Sequence, residues 1–243
     1  CRLTQYPDGI QDHEKTAIDL CAGCGGLALA TRDLGYKHLA LIENNSRCAL
    51  TLQVNGFDNV IKESIQRVDY SQYKGRVTLM TAGLPCQPWS VGGLMRGEID
   101  GRNLWKDAIR AVKECKPETL LFEMVHGFML PQFNKTRTWV NDSLKDLGYQ
   151  TEWHEVNAKD YGLPQHRRRC LLIGLTKQAR ITPPTTLDEV SVRDMMTDLG
   201  RPNGENRHDV RGAATEYEGH TASTMDSPAK TLRAGTHGPG GGN

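Results

Sequence analysis

The sequence has 243 residues, which is room for one large α/β domain or for one domain plus a small appendage. Its 37% hydrophobic and 24% charged residues are typical of an ordinary soluble globular chain. It contains no apolar run approaching the roughly 18 residues of a membrane span and no charged-then-apolar leader, so we expect neither a secreted nor a membrane protein. Lys and Arg number 30 against 29 Asp and Glu, a net charge of +1, so any nucleic-acid partner would need a local basic patch.

Predicted strands and helices alternate along the first three quarters of the chain. Short apolar runs predict strands over residues 17–20, 38–42, 77–81 and 119–122. Apolar residues at helical spacing, ended by Gly or Pro, predict helices over residues 27–34, 48–54, 104–115 and 138–147. This alternation predicts parallel pairing in a doubly wound sheet. Two further extended segments, 151–156 and 170–175, are joined too closely for a helical crossover, and we expect them to pair antiparallel.

The composition changes near residue 176. Beyond it the sequence has Pro183-Pro184, few apolar runs and many Gly, Thr and His residues. We therefore expect one domain over residues 1–175 and a small, loop-rich region over residues 176–243. That region is too short to support a core of its own comfortably, so it would lean on the first domain or on a partner.

A glycine-rich turn follows the first predicted strand. Gly23, Gly25 and Gly26 lie between that strand and a helix, and Glu43 ends the second strand about 20 residues later. Such glycines let a ligand approach the backbone, and an acid at this distance can bind the two hydroxyls of a ribose. The pattern predicts NAD or S-adenosylmethionine, and the Gly-x-Gly-Gly spacing favours the second. A tight turn without a ligand is the remaining alternative.

Cys86 lies in Pro85-Cys86-Gln87-Pro88, just past a predicted parallel strand, where open α/β sheets carry their sites. The prolines stiffen its backbone, which suits a nucleophile whose thiolate must be held ready. A buried structural cysteine is the alternative. Glu123 ends the next strand and would face the same crevice, and a carboxyl group there is rare unless it has a role or a partner. The two residues form a candidate catalytic pair.

Seven cysteines in a chain without a secretory signal indicate free thiols in a reducing compartment. Cys21 and Cys24 form a C-x-x-C, but no second C-x-x-C or nearby His pair completes a tetrahedral zinc site, so we predict no metal. The same spacing occurs in thioredoxin-like redox motifs, although the flanking glycines favour another use.

In these motifs the sequence resembles the DNA cytosine-5 methyltransferases. Residues 19–26 (Asp-Leu-Cys-Ala-Gly-Cys-Gly-Gly) are similar to the family's cofactor-binding motif, with Cys21 where Phe is usual. Residues 83–90 (Gly-Leu-Pro-Cys-Gln-Pro-Trp-Ser) are similar to its nucleophile loop, and residues 165–169 (Gln-His-Arg-Arg-Arg) to its Q-x-R-x-R motif. The motifs follow the family's order over roughly residues 16–175, which is far more specific than any one motif.

The resemblance implies a Rossmann-like, S-adenosylmethionine-dependent methyltransferase fold, with a mostly parallel sheet, one antiparallel strand and a small loop-rich recognition region. It implies catalytic roles for Cys86, Glu123, Arg167 and Arg169. It implies S-adenosylmethionine contacts at Asp19, Leu20, Cys21, Gly23, Gly25, Gly26, Glu43, Asn44, Ile65, Pro85 and Leu104, and substrate contacts at Gln87, Ser90 and Gln165.

The reaction that the resemblance implies is methylation of carbon 5 of cytosine in double-stranded DNA. The target base is flipped out of the duplex, the Cys86 thiolate adds to carbon 6, and Glu123 donates a proton to ring nitrogen 3. Carbon 5 then becomes electron-rich enough to take the methyl group, and loss of its proton and of the cysteine releases 5-methylcytosine. Arg167 and Arg169 would order the loop and the surroundings of the flipped nucleotide.

Three features depart from the family pattern. Met124 stands where an Asn normally braces the nucleophile loop by hydrogen bonds that a thioether cannot make, and Ser64 stands where an Asp usually contacts the adenine. Residues 228–235 resemble the end of the recognition region, and the family's last two motifs should follow. We expect either a truncated piece or a second polypeptide that supplies them.

Two alternatives share most of these observations. A tRNA cytosine-5 methyltransferase of the same fold would carry every quoted motif, and an aromatic content of 6% discriminates poorly between the two substrates. A non-catalytic methyltransferase-like subunit would account for Met124 and for the absent motifs. Cys86 argues against a third alternative, an NAD-dependent oxidoreductase. We expect a cytoplasmic protein in a prokaryote and a nuclear one in a eukaryote.

Overall fold

The computed structural model describes residues 14–85, 103–176, 185–197 and 224–231. These residues form two compact units. The first unit holds residues 14–85, 103–154 and 170–176, and the second holds 155–169, 185–197 and 224–231. The predicted boundary after residue 175 stays a prediction.

A seven-stranded sheet forms the centre of the first unit. Its strands are β1 (Thr16–Leu20), β2 (Lys37–Ile42), β3 (Val60–Ile61), β4 (Leu79–Gly83), β5 (Thr119–Val125), β6 (Gln150–Asn157) and β8 (Arg168–Leu175), with the two-residue β7 (Gln165–His166) outside the sheet. Their order across the sheet is β3-β2-β1-β4-β5-β8-β6. The sheet is mostly parallel with one antiparallel pair, and the predicted α/β fold is confirmed.

Four helices connect the strands of this sheet: α1 (Gly26–Asp33), α2 (Ser46–Val54), α3 (Trp105–Cys115) and α4 (Asn134–Asp146). All four predicted helices are present, although α2 begins two residues earlier and α4 four residues earlier than their apolar periodicity predicts. The start of α2 is set by a cap, because the Asn45 side chain accepts hydrogen bonds from the amides of Arg47 and Cys48. The periodicity of apolar residues cannot predict where a helix begins when its first turn is polar.

The two faces of the sheet carry separate apolar clusters, because successive side chains of a strand point to opposite faces. Leu41 of β2 packs with Ala28, Leu52 and Phe57 in the smaller cluster. The larger cluster receives residues of β1, β4 and β5 together with α3 and α4, and the ring of Trp105 stacks at its centre on that of Phe128, 5.7 Å away. Helices therefore cover both faces of the sheet and leave the strand ends as its accessible edges.

The described residues of the second unit make polar contacts between separate segments of the chain. Its β7 pairs in parallel with β9 (Ala229–Lys230), and α5 (Val192–Met195) begins with a capping box formed by Ser191 and Asp194. Arg193 donates to the carboxylate of Asp226. No helix in the described parts of either unit is long and apolar enough to cross a membrane.

Candidate active site

The strand order of the first unit reverses between β1 and β4: β2 and β3 lie on one side of β1, and β4 and β5 on the other. Open parallel sheets bind their ligands at such a reversal, beyond the carboxyl ends of the strands. The register aligns three strand ends there, since Leu20 pairs with Ile42 and Asp19 with Thr81. The predicted cofactor turn follows β1 directly and therefore lies at this point of the sheet.

Glu43 connects the glycine-rich turn to the start of α2. Its Oε2 accepts a hydrogen bond of 2.8 Å from the amide of Gly23, and its Oε1 accepts one of 2.7 Å from the amide of Asn45. The residue is only 8% exposed. A carboxylate has about four acceptor positions, so two remain for further donors such as the hydroxyls of a ribose.

Gly25 is required by the shape of the turn. Its φ of 95° lies in the left-handed region, and a Cβ at this position would come within 2.8 Å of Leu52 Cδ2. Gly25 directly precedes α1, and no side chain in the described part of the chain caps that helix. The first amides of α1, which have no acceptor within the helix, therefore face the end of β1 as a site for an anionic or polar ligand group.

Asp19 is a fully buried carboxyl group next to this turn. Its Oδ1 accepts a hydrogen bond of 2.7 Å from the Thr81 hydroxyl, whereas Oδ2 has no hydrogen-bond partner among the described residues. Burial is the largest influence on the pKa of Asp19; the bond from Thr81 opposes it and the charge of Glu43 adds to it, and together they raise the pKa from 3.8 to about 7. Asp19 therefore changes its charge near neutral pH.

Cys21 follows Asp19 and Leu20 in a left-handed conformation with φ of 55°. Its side chain is half-buried against the larger apolar cluster, where the family has Phe. Burial, together with the charges of Glu43 and Asp19, raises the pKa of the Cys21 thiol to about 12. Cys21 therefore stays protonated and acts as a small apolar group.

Glu123 lies in β5 opposite Gly83, the last residue of β4. The chain continues from Gly83 through the buried Leu84 to the half-buried Pro85. Glu123 thus flanks the strand end from which the Pro85-Cys86 loop starts. Cys86, Gln87 and Ser90 lie outside the described residues.

The other predicted cofactor residues have different surroundings. Leu20 and Ile65 are buried in the larger cluster, with 0% and 2% of the residue exposed. Leu104 packs against the same cluster just before α3, and Asn44 is exposed next to Glu43. Gly26, the first residue of α1, has open space around the position of a Cβ.

Two of the departures from the family pattern, Met124 and Ser64, lie among the described residues. Met124 is fully buried in the larger apolar cluster and contributes to the core. The Ser64 amide donates to Glu63 Oε1 over 2.6 Å, and Glu63 also pairs with Arg67. A carboxylate is therefore present one residue before the position at which the family has its Asp.

The predicted basic motif belongs to the second unit. The amide of Arg167 donates to Asn157 Oδ1 over 2.9 Å, and the guanidinium of Arg169 donates to the carbonyl of Arg168 over 2.8 Å. Gln165 pairs with Ala229, and this pairing joins the motif to the segment that resembles the end of the recognition region. Among the described residues, no group of three His, Cys, Asp or Glu side chains could hold a metal ion.

Three residues in the surroundings of the glycine-rich turn were not identified from the sequence. Asn45 carries a detectable signal, because Asn before a helical segment is a preferred N-cap. Thr81 and Cys48 carry none, since their roles depend on contacts with Asp19 and Cys24 across 62 and 24 residues of sequence.

Comparisons with known proteins agree with this geometry. The model of a family described as C-5 cytosine-specific DNA methylase matches residues 15–231. The chain is 33% identical over 207 residues to the type II methyltransferase M.NgoMIV of Neisseria gonorrhoeae, covering 83% of this chain and 66% of the relative. It is 33% identical over 230 residues to M.NaeI of Lentzea aerocolonigenes, covering 92% and 53%. The chain thus spans about half to two thirds of the length of these relatives.

Solved structures of methyltransferases have the same fold. A protein of an E. coli prophage described as a DNA modification methyltransferase superposes with a TM-score of 0.66 at 26% identity, over 78% of this chain and 56% of its own. The Entamoeba histolytica methyltransferase EhMeth superposes with a TM-score of 0.62 at 15% identity, over 74% and 59%.

Proposed function

The chain belongs to the C-5 cytosine-specific DNA methylase family, and on this basis we propose that it methylates carbon 5 of cytosine in double-stranded DNA, with S-adenosylmethionine as the donor. The observation that carries the proposal is the pairing of Gly83 with Glu123. It sets a carboxyl group beside the strand end that leads to the Pro85-Cys86 loop, as a nucleophile and an acid acting on one base require.

The residues around the glycine-rich turn suit S-adenosylmethionine. Glu43 retains acceptor positions for the ribose hydroxyls, Gly23 has open space above its backbone, and the first amides of α1 can bind a carboxylate. Asp19 offers a buried polar atom without a partner among the described residues. When bound, the cofactor supplies an electrophilic methyl group.

Cys86 and Glu123 carry the chemistry on the base. Carbon 5 of cytosine is a poor nucleophile until a group adds to carbon 6, and the Cys86 thiolate forms that bond. Glu123 donates a proton to ring nitrogen 3, so the electron pair of the new adduct becomes available at carbon 5. After methylation, carbon 5 loses its proton to water and the bond to Cys86 breaks, which regenerates the thiolate. Ring nitrogen 3 then returns its proton to Glu123.

The second unit supplies contacts to DNA in this proposal. Arg167 and Arg169 bind phosphates of the DNA, because a guanidinium matches the geometry of a phosphate. Residues 176–243 read the target sequence. Since the net charge of the whole chain is only +1, we expect a modest dependence of DNA affinity on salt.

Covalent trapping tests the proposal. Duplex DNA with 5-fluorocytosine at the target position holds the adduct, because fluorine at carbon 5 cannot leave as a proton does. The protein with S-adenosylmethionine should give a complex that survives denaturing electrophoresis, and Cys86→Ser should give none. Cys48→Ser, which removes a different thiol, is the matched control and should still give the complex.

Tritiated methyl transfer to DNA and to tRNA identifies the substrate. Label in DNA alone supports the proposal, and label in tRNA alone would replace it with a tRNA methyltransferase. A covalent complex that persists in Cys86→Ser would overturn the assignment of the nucleophile.

A further inference from the structure

Two free thiols that the methyl transfer does not use lie in contact next to the cofactor turn. Cys24 Sγ is 3.6 Å from Cys48 Sγ. Cys24 is exposed and Cys48 is half-buried, so that small oxidants can reach the pair. The other described cysteines are half-buried or buried: Cys21, Cys115 and Cys170.

The two thiols belong to the same two segments that Glu43 connects. Cys24 lies between Gly23 and Gly25 in the turn, and Cys48 lies in the first turn of α2, where its amide donates to Asn45 Oδ1. Glu43 accepts hydrogen bonds from an amide of each segment. A disulfide bond between the two sulfurs would therefore change the positions of the two segments whose amides donate to the Glu43 carboxylate.

We propose that Cys24 and Cys48 form a reversible disulfide when a hydroperoxide oxidises them, and that this disulfide weakens cofactor binding. The effect on cofactor binding rests on the proposed function, whereas the formation of the disulfide does not. The Cys24 thiolate attacks the peroxide and forms a sulfenic acid, releasing an alcohol or water. The Cys48 thiolate then attacks the sulfenic sulfur, the S–S bond forms and water leaves. A dithiol reductant restores both thiols.

Distance and reactivity both favour this pair. A disulfide requires the sulfurs to approach from 3.6 Å to about 2.05 Å, a movement that side-chain rotation and a small shift of the turn can supply. Burial and contact with Cys24 raise the pKa of the Cys48 thiol, which fits a resolving cysteine better than the first one oxidised. Cys21 stays protonated because its pKa is about 12.

The disulfide should lower the affinity for the cofactor. The turn approaches its ligand through its backbone, so a shift toward α2 displaces the amides of the turn from their ligand. We expect about a tenfold loss, within the range usual for coupling between sites. Because such coupling is reciprocal, bound S-adenosylhomocysteine should shift the equilibrium between disulfide and dithiol toward the dithiol by the same factor.

Peptide mapping tests whether Cys24 and Cys48 form the disulfide. The Cys86→Ser protein is treated with hydrogen peroxide, blocked with N-ethylmaleimide and digested with trypsin without reductant. The expected product links peptide 16–32 to peptide 48–62, and fragmentation between Cys21 and Cys24 identifies the linked residue. The link should vanish in Cys48→Ser and after dithiothreitol. Absence of the link, or a link through Cys21, would overturn the proposal.

Calorimetry with S-adenosylhomocysteine tests whether the disulfide weakens cofactor binding, on the same oxidised and reduced proteins. Oxidised protein should bind about tenfold more weakly than reduced protein, and Cys48→Ser should bind equally before and after peroxide. Equal affinity of the disulfide-linked and reduced forms would overturn the proposed effect on cofactor binding. Failure of the reduced protein to bind would count against the proposed function, whereas the peptide map still decides whether the disulfide forms.

Discussion

Replacing Asp19 with Asn should change how the stability of the protein depends on pH. Asp19 is fully buried, and among the described residues only the bond from Thr81 compensates its carboxyl group for the loss of water. Burial therefore raises the pKa of Asp19 to about 7 in the folded protein. Asn has nearly the same shape and keeps an acceptor for the Thr81 hydroxyl, but it carries no charge at any pH.

The sign and size of the effect follow from linkage between proton binding and folding. Between about pH 4 and 7 the folded protein holds a proton on Asp19 that the unfolded chain has released, so the free energy of unfolding falls as pH rises. The pKa moves from 3.8 to about 7, and at about 1.4 kcal/mol per pH unit the full effect is about 4 kcal/mol. Asp19→Asn should therefore gain stability relative to the wild type by up to that amount as pH rises from 4 to 8.

Urea unfolding at a series of pH values from 4 to 8.5 measures this difference. The amide group that replaces the carboxyl group in Asp19→Asn adds a cost that does not vary with pH, so the test is the pH dependence of the difference and not its value at one pH. Thr81→Val removes the bond that lowers the pKa of Asp19, and it should move the transition to higher pH. A difference between wild type and Asp19→Asn that is constant over this range would refute the reasoning.

Three further substitutions test the geometry of the turn. Glu43→Ala removes both carboxylate acceptors, and calorimetry should show cofactor affinity weaker by about 1.5–3 kcal/mol; unchanged affinity would contradict the assignment. Gly25→Ala should lower thermal stability by about 1–3 kcal/mol because of its φ and the contact with Leu52, whereas Gly26→Ala, with open space around it, should be neutral. Asn45→Ala removes the cap of α2 and should cost about 1 kcal/mol in urea unfolding, with a loss below about 0.3 kcal/mol arguing against the cap.

Local patterns in the sequence identified most elements of the fold. Apolar runs and helical spacing depend on nearest neighbours along the chain, and they located β1, β2, β5 and all four helices of the first unit. They placed β4 two residues too early, at 77–81 instead of Leu79–Gly83. Pairing of Ala17 with Leu79 starts that strand, and a partner 62 residues away leaves no local signal. The pairing of β7 with β9 was not predicted for the same reason.

The amino-acid sequence by itself determined the chemistry that is available: a glycine-rich turn after the first strand, Glu43 after the second, Cys86 in its proline-bounded loop and Glu123 in β5. Only the tertiary structure decided how these groups are held. In the folded protein both carboxylate oxygens of Glu43 accept hydrogen bonds from backbone amides, and Asp19 is buried beside Thr81. Cys24 Sγ lies 3.6 Å from Cys48 Sγ. Hydrogen bonding, burial and proximity depend on residues that are distant in the chain and adjacent only after folding, so no local pattern could specify them.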